Sequence, residues 1–165
     1  MKTFDYDRLK AVLYARRWAF SRNPKYYSFD GLGGDCTNFI SQCVFAGAGV
    51  MNSTPVFGWY FRTPSDRTAS WTGVQFFYNF LTKNEGEGPF AEEMRPRDLK
   101  IGDVIQLGRA TGDFYHTLLV TGFRFGFPLV AAHTNDAFDR PLLSYSFEQA
   151  RYLHILGVRK DAPQE

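Results

Sequence analysis

The chain has 165 residues, enough to bury one hydrophobic core without disulfides or a structural metal, and a single domain over residues 1–165 is the expectation. Its 19 Lys and Arg against 17 Asp and Glu leave a charge of +2 with no basic run, which argues against nucleic acid as a partner, because phosphate binding needs clustered positive charge. No apolar run approaches membrane-spanning length, and MKTFDYDRLKAV lacks the apolar stretch of a secretory signal, so a soluble chain with no membrane partner is expected, its compartment left open.

Residues 5–21 predict a first helix, with Leu9, Val12, Leu13 and Trp18 at near-helical spacing behind Asp5 and Asp7, and Asn23-Pro24 as its end. The turn-rich KYYSFDGLGG follows. From Cys36 the apolar positions Cys36, Phe39, Ile40, Cys43 and Val44 recur at i, i+3, i+4, i+7 and i+8, with Asp35 as the expected N-cap and Gly47 and Gly49 as the stop. A third helix is expected after Ser70, presenting Trp71, Val74, Phe77, Tyr78 and Leu81 on one face and fading at Asn84 and Gly86. Beyond Pro89 and Pro96 the pattern turns to short β-branched and aromatic runs at 103–107, 114–123, 128–134 and 151–158. Helices first and an antiparallel sheet after them make an α+β domain, with the helices packed on one side of the sheet.

Cys36 and Cys43 are seven residues apart, so on one helix their Cα atoms are roughly 10 Å apart at 1.5 Å per residue. A bridge needs them within about 7 Å, so both thiols are expected to be free, with Cys43 serving packing. Cys36 is different, because the first turn of a helix brings unpaired N–H groups and the positive end of the dipole to its sulfur, and such a place lowers a thiol pKa. Gly33 and Gly34 allow close backbone approach, and the N–H of Cys36 is free to meet a developing oxyanion. The same residues also fit a small buried hydrophobe heading an amphipathic helix.

A thiolate nucleophile needs an acid and base within hydrogen-bond reach, and a third group to hold that ring. His116, in FYHTLLV, sits on a strand apolar on both faces and so points into the core or into a cleft. His133, in LVAAHTND, could come alongside it in a hairpin and orient it, with Asn135 and Asp136 as rival orienters. His154 reads as structural. The closest metal-ligand spacing is His133 with Asp136, without HExxH or CxxC, so no metal and no cofactor is expected. GWYF at 58–61 and Trp71 could line a groove that stacks on a sugar or peptide, but the core is the expected place for them.

Taken together, YDRLKAVLYARRWAFSRNPKYYSFD, GGDCTNFISQCVFAGAGVMN, SWTGVQFFYNFL, IGDVIQLG, YHTLLVTG and AAHTNDAFDRPL resemble the putative amidase domain family, small papain-like cysteine amidases related to NlpC-type cell-wall peptidases and CHAP amidohydrolases. The resemblance implies a papain-like α+β fold and a cysteine hydrolase, with Cys36 as nucleophile and His116 as base. It implies a polar third residue on the next strand, where His133 matches, with Asn135 or Asp136 as alternatives because the GFRFGFPL hairpin is longer than in those relatives. A tyrosine upstream of the cysteine assists the oxyanion in such enzymes, which points to Tyr26 or, preferably, Tyr27, with Asp35 beside the nucleophile. The implied substrate is a peptide or peptidoglycan-like amide of the bacterial cell wall, cleaved through a thioester. Acyl transfer on the same Cys/His machinery, or a non-catalytic wall-binding module of the same fold, are the alternatives.

Overall fold

The computed structural model describes residues 1–164. After a short strand, β1 (Lys2–Phe4), helix α1 (Arg8–Trp18) starts where the Asp7 carboxylate accepts the Lys10 N–H at 3.0 Å. Its buried face is Ala11 and Ala15, continued by Ala19, whereas Leu9 and Leu13 are 60% and 50% exposed. The leucines on which the sequence pattern leaned therefore face solvent, and small residues let α1 approach its neighbour closely.

That neighbour is α2 (Cys36–Ala48), which is buried over most of its circumference. A helix buried all round must satisfy its polar side chains internally, and this one does. Thr37 Oγ1 meets Thr117 Oγ1 at 2.9 Å, Asn38 accepts the Trp71 Nε1–H at 3.0 Å, Ser41 donates to the Trp71 carbonyl at 2.9 Å, and Gln42 accepts the Tyr14 hydroxyl at 2.5 Å. Gly49, at φ 73° in the left-handed region, ends the helix. Gly47 is not a stop but a packing position inside it, since a Cβ there would lie 2.5 Å from Tyr6 Cε1 and 2.6 Å from the Asp7 carbonyl.

A small hairpin, β2 (Phe61–Thr63) with β3 (Asp66–Arg67), leads into the region read as one helix. Gly73 adopts an extended conformation and divides that region into α3 (Ala69–Thr72) and α4 (Val74–Lys83). Trp71 on the short piece is fully buried against Trp59, their ring centroids 4.7 Å apart. With Trp59, Tyr60 and Phe61 all at 8% exposure or less, GWYF is core and not groove.

The sheet adds β4 (Gly88–Met94), β5 (Val104–Gly108), β6 (Phe114–Arg124), β7 (Phe127–Ala132), β8 (Ala137–Pro141) and β9 (Gln149–Lys160), all pairs antiparallel. Its order is β1-β9-β5-β6-β7-β8, with β4 on the other edge of β9. β9 is long enough to pair with β5 through Gln149–Leu153 and with β1 through Val158–Lys160 on one edge, and with β4 on the other.

One face of the sheet, through Val104, Leu119, Ala131 and Leu153, joins the helices in the main core. The opposite face is covered as well. Ile105, Leu107, Leu118, Val120 and Val130 form a second cluster closed by Leu99 and Leu142 from the connecting segments. This explains why β6 is apolar on both faces, and it refines the expectation of a one-sided sheet.

Candidate active site

Cys36 opens α2 behind a loop that Gly33 and Gly34 shape at φ 94° and 101°, left-handed conformations that only glycine adopts without strain. Its half-buried Sγ lies 3.8 Å from Thr37 Oγ1 and beside the backbone N–H of Thr117 on β6. The expected lowering of the thiol pKa is overturned. Burial pushes the Cys36 thiol up, and the Thr117 and Thr37 groups pull it down without cancelling that effect.

His116 stands opposite Leu107 in the β5–β6 register, immediately after a bulge. Its ring faces Tyr145, the centroids 6.0 Å apart, and lines a cavity of about 390 Å³ together with Cys36, Leu107, Asn135 and Arg140. Burial, and next the Arg140 charge, bring its pKa down to about 4, so the imidazole is neutral near pH 7. Among the described residues neither of its ring nitrogens has a hydrogen-bond partner. The resting pair is thus a thiol and a neutral imidazole.

His133 lies elsewhere. It is 2% exposed, stacks on Phe39 at 3.8 Å, and directs Nδ1 to Asp35 Oδ2 at 2.6 Å and Nε2 to the Trp18 carbonyl at 2.8 Å, with Arg22 Nη1 3.1 Å away. Its hydrogen bonds go to these groups and not to His116. Asp35 occupies the N-cap position of α2, but its side chain makes no cap hydrogen bond. The carboxylate instead accepts the Phe29 N–H at 2.8 Å, Asn38 Nδ2 at 2.8 Å and the His133 ring, and at 1% exposure it is out of a substrate's reach. Arg22 binds the whole corner together, pairing with Asp30 at 2.6 Å and with Asp136 at 3.0 Å.

The β7–β8 turn explains how the three candidate orienters part company. Thr134 and Asn135 both take positive φ, 65° and 58°, and this sends His133 and Asp136 to Arg22 while Thr134 and Asn135 line the cavity of Cys36. Of the tyrosines, Tyr26 stacks on Trp71 at 5.9 Å as part of the core. Tyr27 is 44% exposed, set edge-on to Phe29, and faces the small recess of Arg22 and His133, away from the cavity of Cys36. His154 Nδ1 donates to the Asp103 carboxylate at 2.7 Å, and Cys43 is fully buried in the core. Among the described residues no three His, Cys, Asp or Glu side chains gather as a metal ion would require.

The profile of the family described as "putative amidase domain" matches residues 5–156, and so takes in both Cys36 and His116. The chain belongs to this family. The family's description points to amide-bond hydrolysis. An uncharacterized protein of Bacillus subtilis (strain 168), YhbB, is 36% identical over 140 residues, which is 82% of this chain and 44% of that protein. The chain therefore spans less than half the length of that relative. No solved structure matches it.

Three residues of this family member escaped the sequence reading. Arg22 is paired with groups more than a hundred positions away, and nothing in SRNPK marks it. Arg140 and Tyr145 reach the cavity from β8 and the turn after it, a strand masked by the charges and the proline of AFDRP.

Proposed function

We propose that this chain hydrolyses an amide bond through a thioester on Cys36, with His116 as general base and then general acid, on a papain-like arrangement of helix and sheet. The observation that carries this is the meeting of two residues in one cavity: the cysteine at the start of the central helix, and the histidine that no hydrogen bond ties down.

With both groups neutral at rest, His116 takes the thiol proton as Sγ attacks the carbonyl carbon, and the carbonyl π pair moves to oxygen, where the free N–H of Cys36 receives it. Collapse of that intermediate breaks the C–N bond, and the leaving amine takes the proton from His116. Water then attacks the thioester, again giving a proton to His116, and the C–S bond breaks to release the acid and restore the thiol. Of the three candidates we assign the orienting role to Asn135, because it shares the cavity with His116. Tyr27 would have to swing toward the cavity to reach an oxyanion.

Wall peptide is the substrate to try first, from the likeness to NlpC-type and CHAP enzymes. The test is release of amine from peptidoglycan fragments and simpler peptides by the native chain, by Cys36→Ala and by His116→Ala. Loss of amine release in both variants supports the reading. Activity that survives Cys36→Ala removes it, and product captured on an added amine acceptor in place of water would make the chain an acyl transferase.

A further inference from the structure

Arg140 reaches from β8 into the cavity that Cys36 and His116 share. Its guanidinium lies over the Tyr145 ring, 3.7 Å from the centroid, with Nε donating to Ser144 Oγ at 2.8 Å and Nη2 to the Ser144 carbonyl at 3.2 Å. Ser144 is itself held, its hydroxyl donating to the Pro141 carbonyl at 2.7 Å. These contacts fix the plane of the fork without neutralising it. Arg8, Arg22, Arg62, Arg95 and Arg109 each pair with an aspartate, but among the described residues no carboxylate lies within ion-pair distance of Arg140, and its Nη1 has no hydrogen-bond partner. Nor, among the described residues, does any Asp or Glu line the cavity.

A rigid, half-buried guanidinium facing a cavity that lacks a counter-charge is suited to a planar anion, which it can grip with two parallel hydrogen bonds. We infer that Arg140 determines substrate choice at this site by receiving a carboxylate of the substrate close to the amide that Cys36 attacks, which makes the substrate class acidic peptides or amides. This rests on the amide-hydrolase reading of the same cavity. It adds a consequence for the chemistry: Arg140 opposes a proton on His116, and a bound carboxylate offsets that charge as the imidazole takes the thiol proton.

Iodoacetate and iodoacetamide test this without needing turnover. Each forms an Sγ–C bond and expels iodide, and they differ only in a carboxylate against an amide. The ratio of their rates at Cys36, read by mass spectrometry against N-acetylcysteine in the same buffer, is expected to exceed the small-thiol ratio by about tenfold. It should fall to the small-thiol value in Arg140→Gln, survive in part in Arg140→Lys, and shrink in high salt. A native ratio no higher than that of the small thiol overturns the inference, whatever the variants do, and so does a ratio that Arg140→Gln leaves unchanged. Peptides with Glu replaced by Gln, or with an amidated C-terminus, then tell a side-chain carboxylate from a terminal one. A flat ratio in a protein that still cleaves neutral amides removes the carboxylate site alone, while a high ratio in a protein that cleaves no amide removes the hydrolase reading alone.

Discussion

His133 and His116 stand at the ends of adjacent strands, and their surroundings are opposites. Around His133 every polar group has a partner: Asp35 and the Trp18 carbonyl hold the ring, Phe39 stacks on it, and Arg22 joins the corner to Asp30 and Asp136. His154 repeats the pattern at the far end of the sheet, with Asp103 at 2.7 Å and Arg8 pairing with the same carboxylate at 2.7 Å. Around His116 there is a cavity, a thiol, a cation and no hydrogen bond to the ring. An Asp–His pair at 2.6 Å has the outline of a catalytic dyad, yet Asp35 and His133 open only onto the small recess beside Arg22 and Tyr27 and not onto the cavity of Cys36. The contrast teaches that a fully bonded histidine is tied into the fold, whereas an unbonded one beside a cavity keeps both ring nitrogens open, as the proposed function requires.

The sharpest way to break this contrast is to truncate each histidine in turn. His116→Ala is expected to lower amide hydrolysis about a thousandfold, the usual scale for a general base, while the fold persists. The same variant should resist acid better. Because the folded state holds His116 neutral down to about pH 4, the unfolded chain binds the extra proton between its ordinary value near 6.5 and that point, so stability falls as pH drops through this window. Denaturant titrations at pH 7 and pH 5 should show a smaller acid loss in His116→Ala than in the native chain.

His133→Ala should do the reverse, costing about 3 kcal/mol of stability by leaving the buried Asp35 carboxylate short of a partner, with activity per folded molecule reduced less than about tenfold. Urea unfolding with parallel activity measurements checks both. If His133→Ala stays folded and loses activity as His116→Ala does, the assignment of the two roles is wrong.

Gly47→Ala probes the helix junction beneath the site. Its new Cβ would meet Tyr6 and the Asp7 carbonyl inside van der Waals distance, and a loss of about 2 kcal/mol is expected from thermal or urea unfolding. A finer probe is the pH dependence of iodoacetamide labelling at Cys36. It should climb through an inflection above that of an ordinary thiol, with no acidic plateau, since burial raises this thiol and its neighbour is neutral. A plateau below pH 7 would mean that a thiolate–imidazolium pair exists at rest. At the bottom of the scale, Leu9→Lys and Leu13→Lys on the exposed side of α1 should change stability by no more than about 0.5 kcal/mol.

Much of this was legible in the chain itself. The Cys36, Phe39, Ile40, Cys43, Val44 spacing marked α2 because burial repeats at the helical period, and the runs at 103–107, 114–123, 128–134 and 151–158 marked β5, β6, β7 and β9 through their β-branched and aromatic residues. β4 and β8 were hidden, since GPFAEEM and AFDRP carry prolines and charges that suit an edge or a bulge better than a strand pattern. The buried face of α1 is hidden in the sequence because alanine, the residue that packs there, weighs little beside two solvent-facing leucines. In the candidate site, the placing of Cys36 at the start of α2 and of His116 on β6 could be read from the pattern of their elements. The separation of His133 from Asn135 could not, for it depends on two left-handed residues in a four-residue turn and on an arginine from the other end of the chain.

The long strand β9 has a consequence for how the protein is made. It is the hub to which β1, β4 and β5 all attach, and it leaves the ribosome after every other strand among the described residues. Until residues 149–160 emerge, the earlier strands wait with open edges, and the contacts that close the sheet span almost the whole sequence. Nascent chains halted before β9 should therefore be held by chaperones or aggregate.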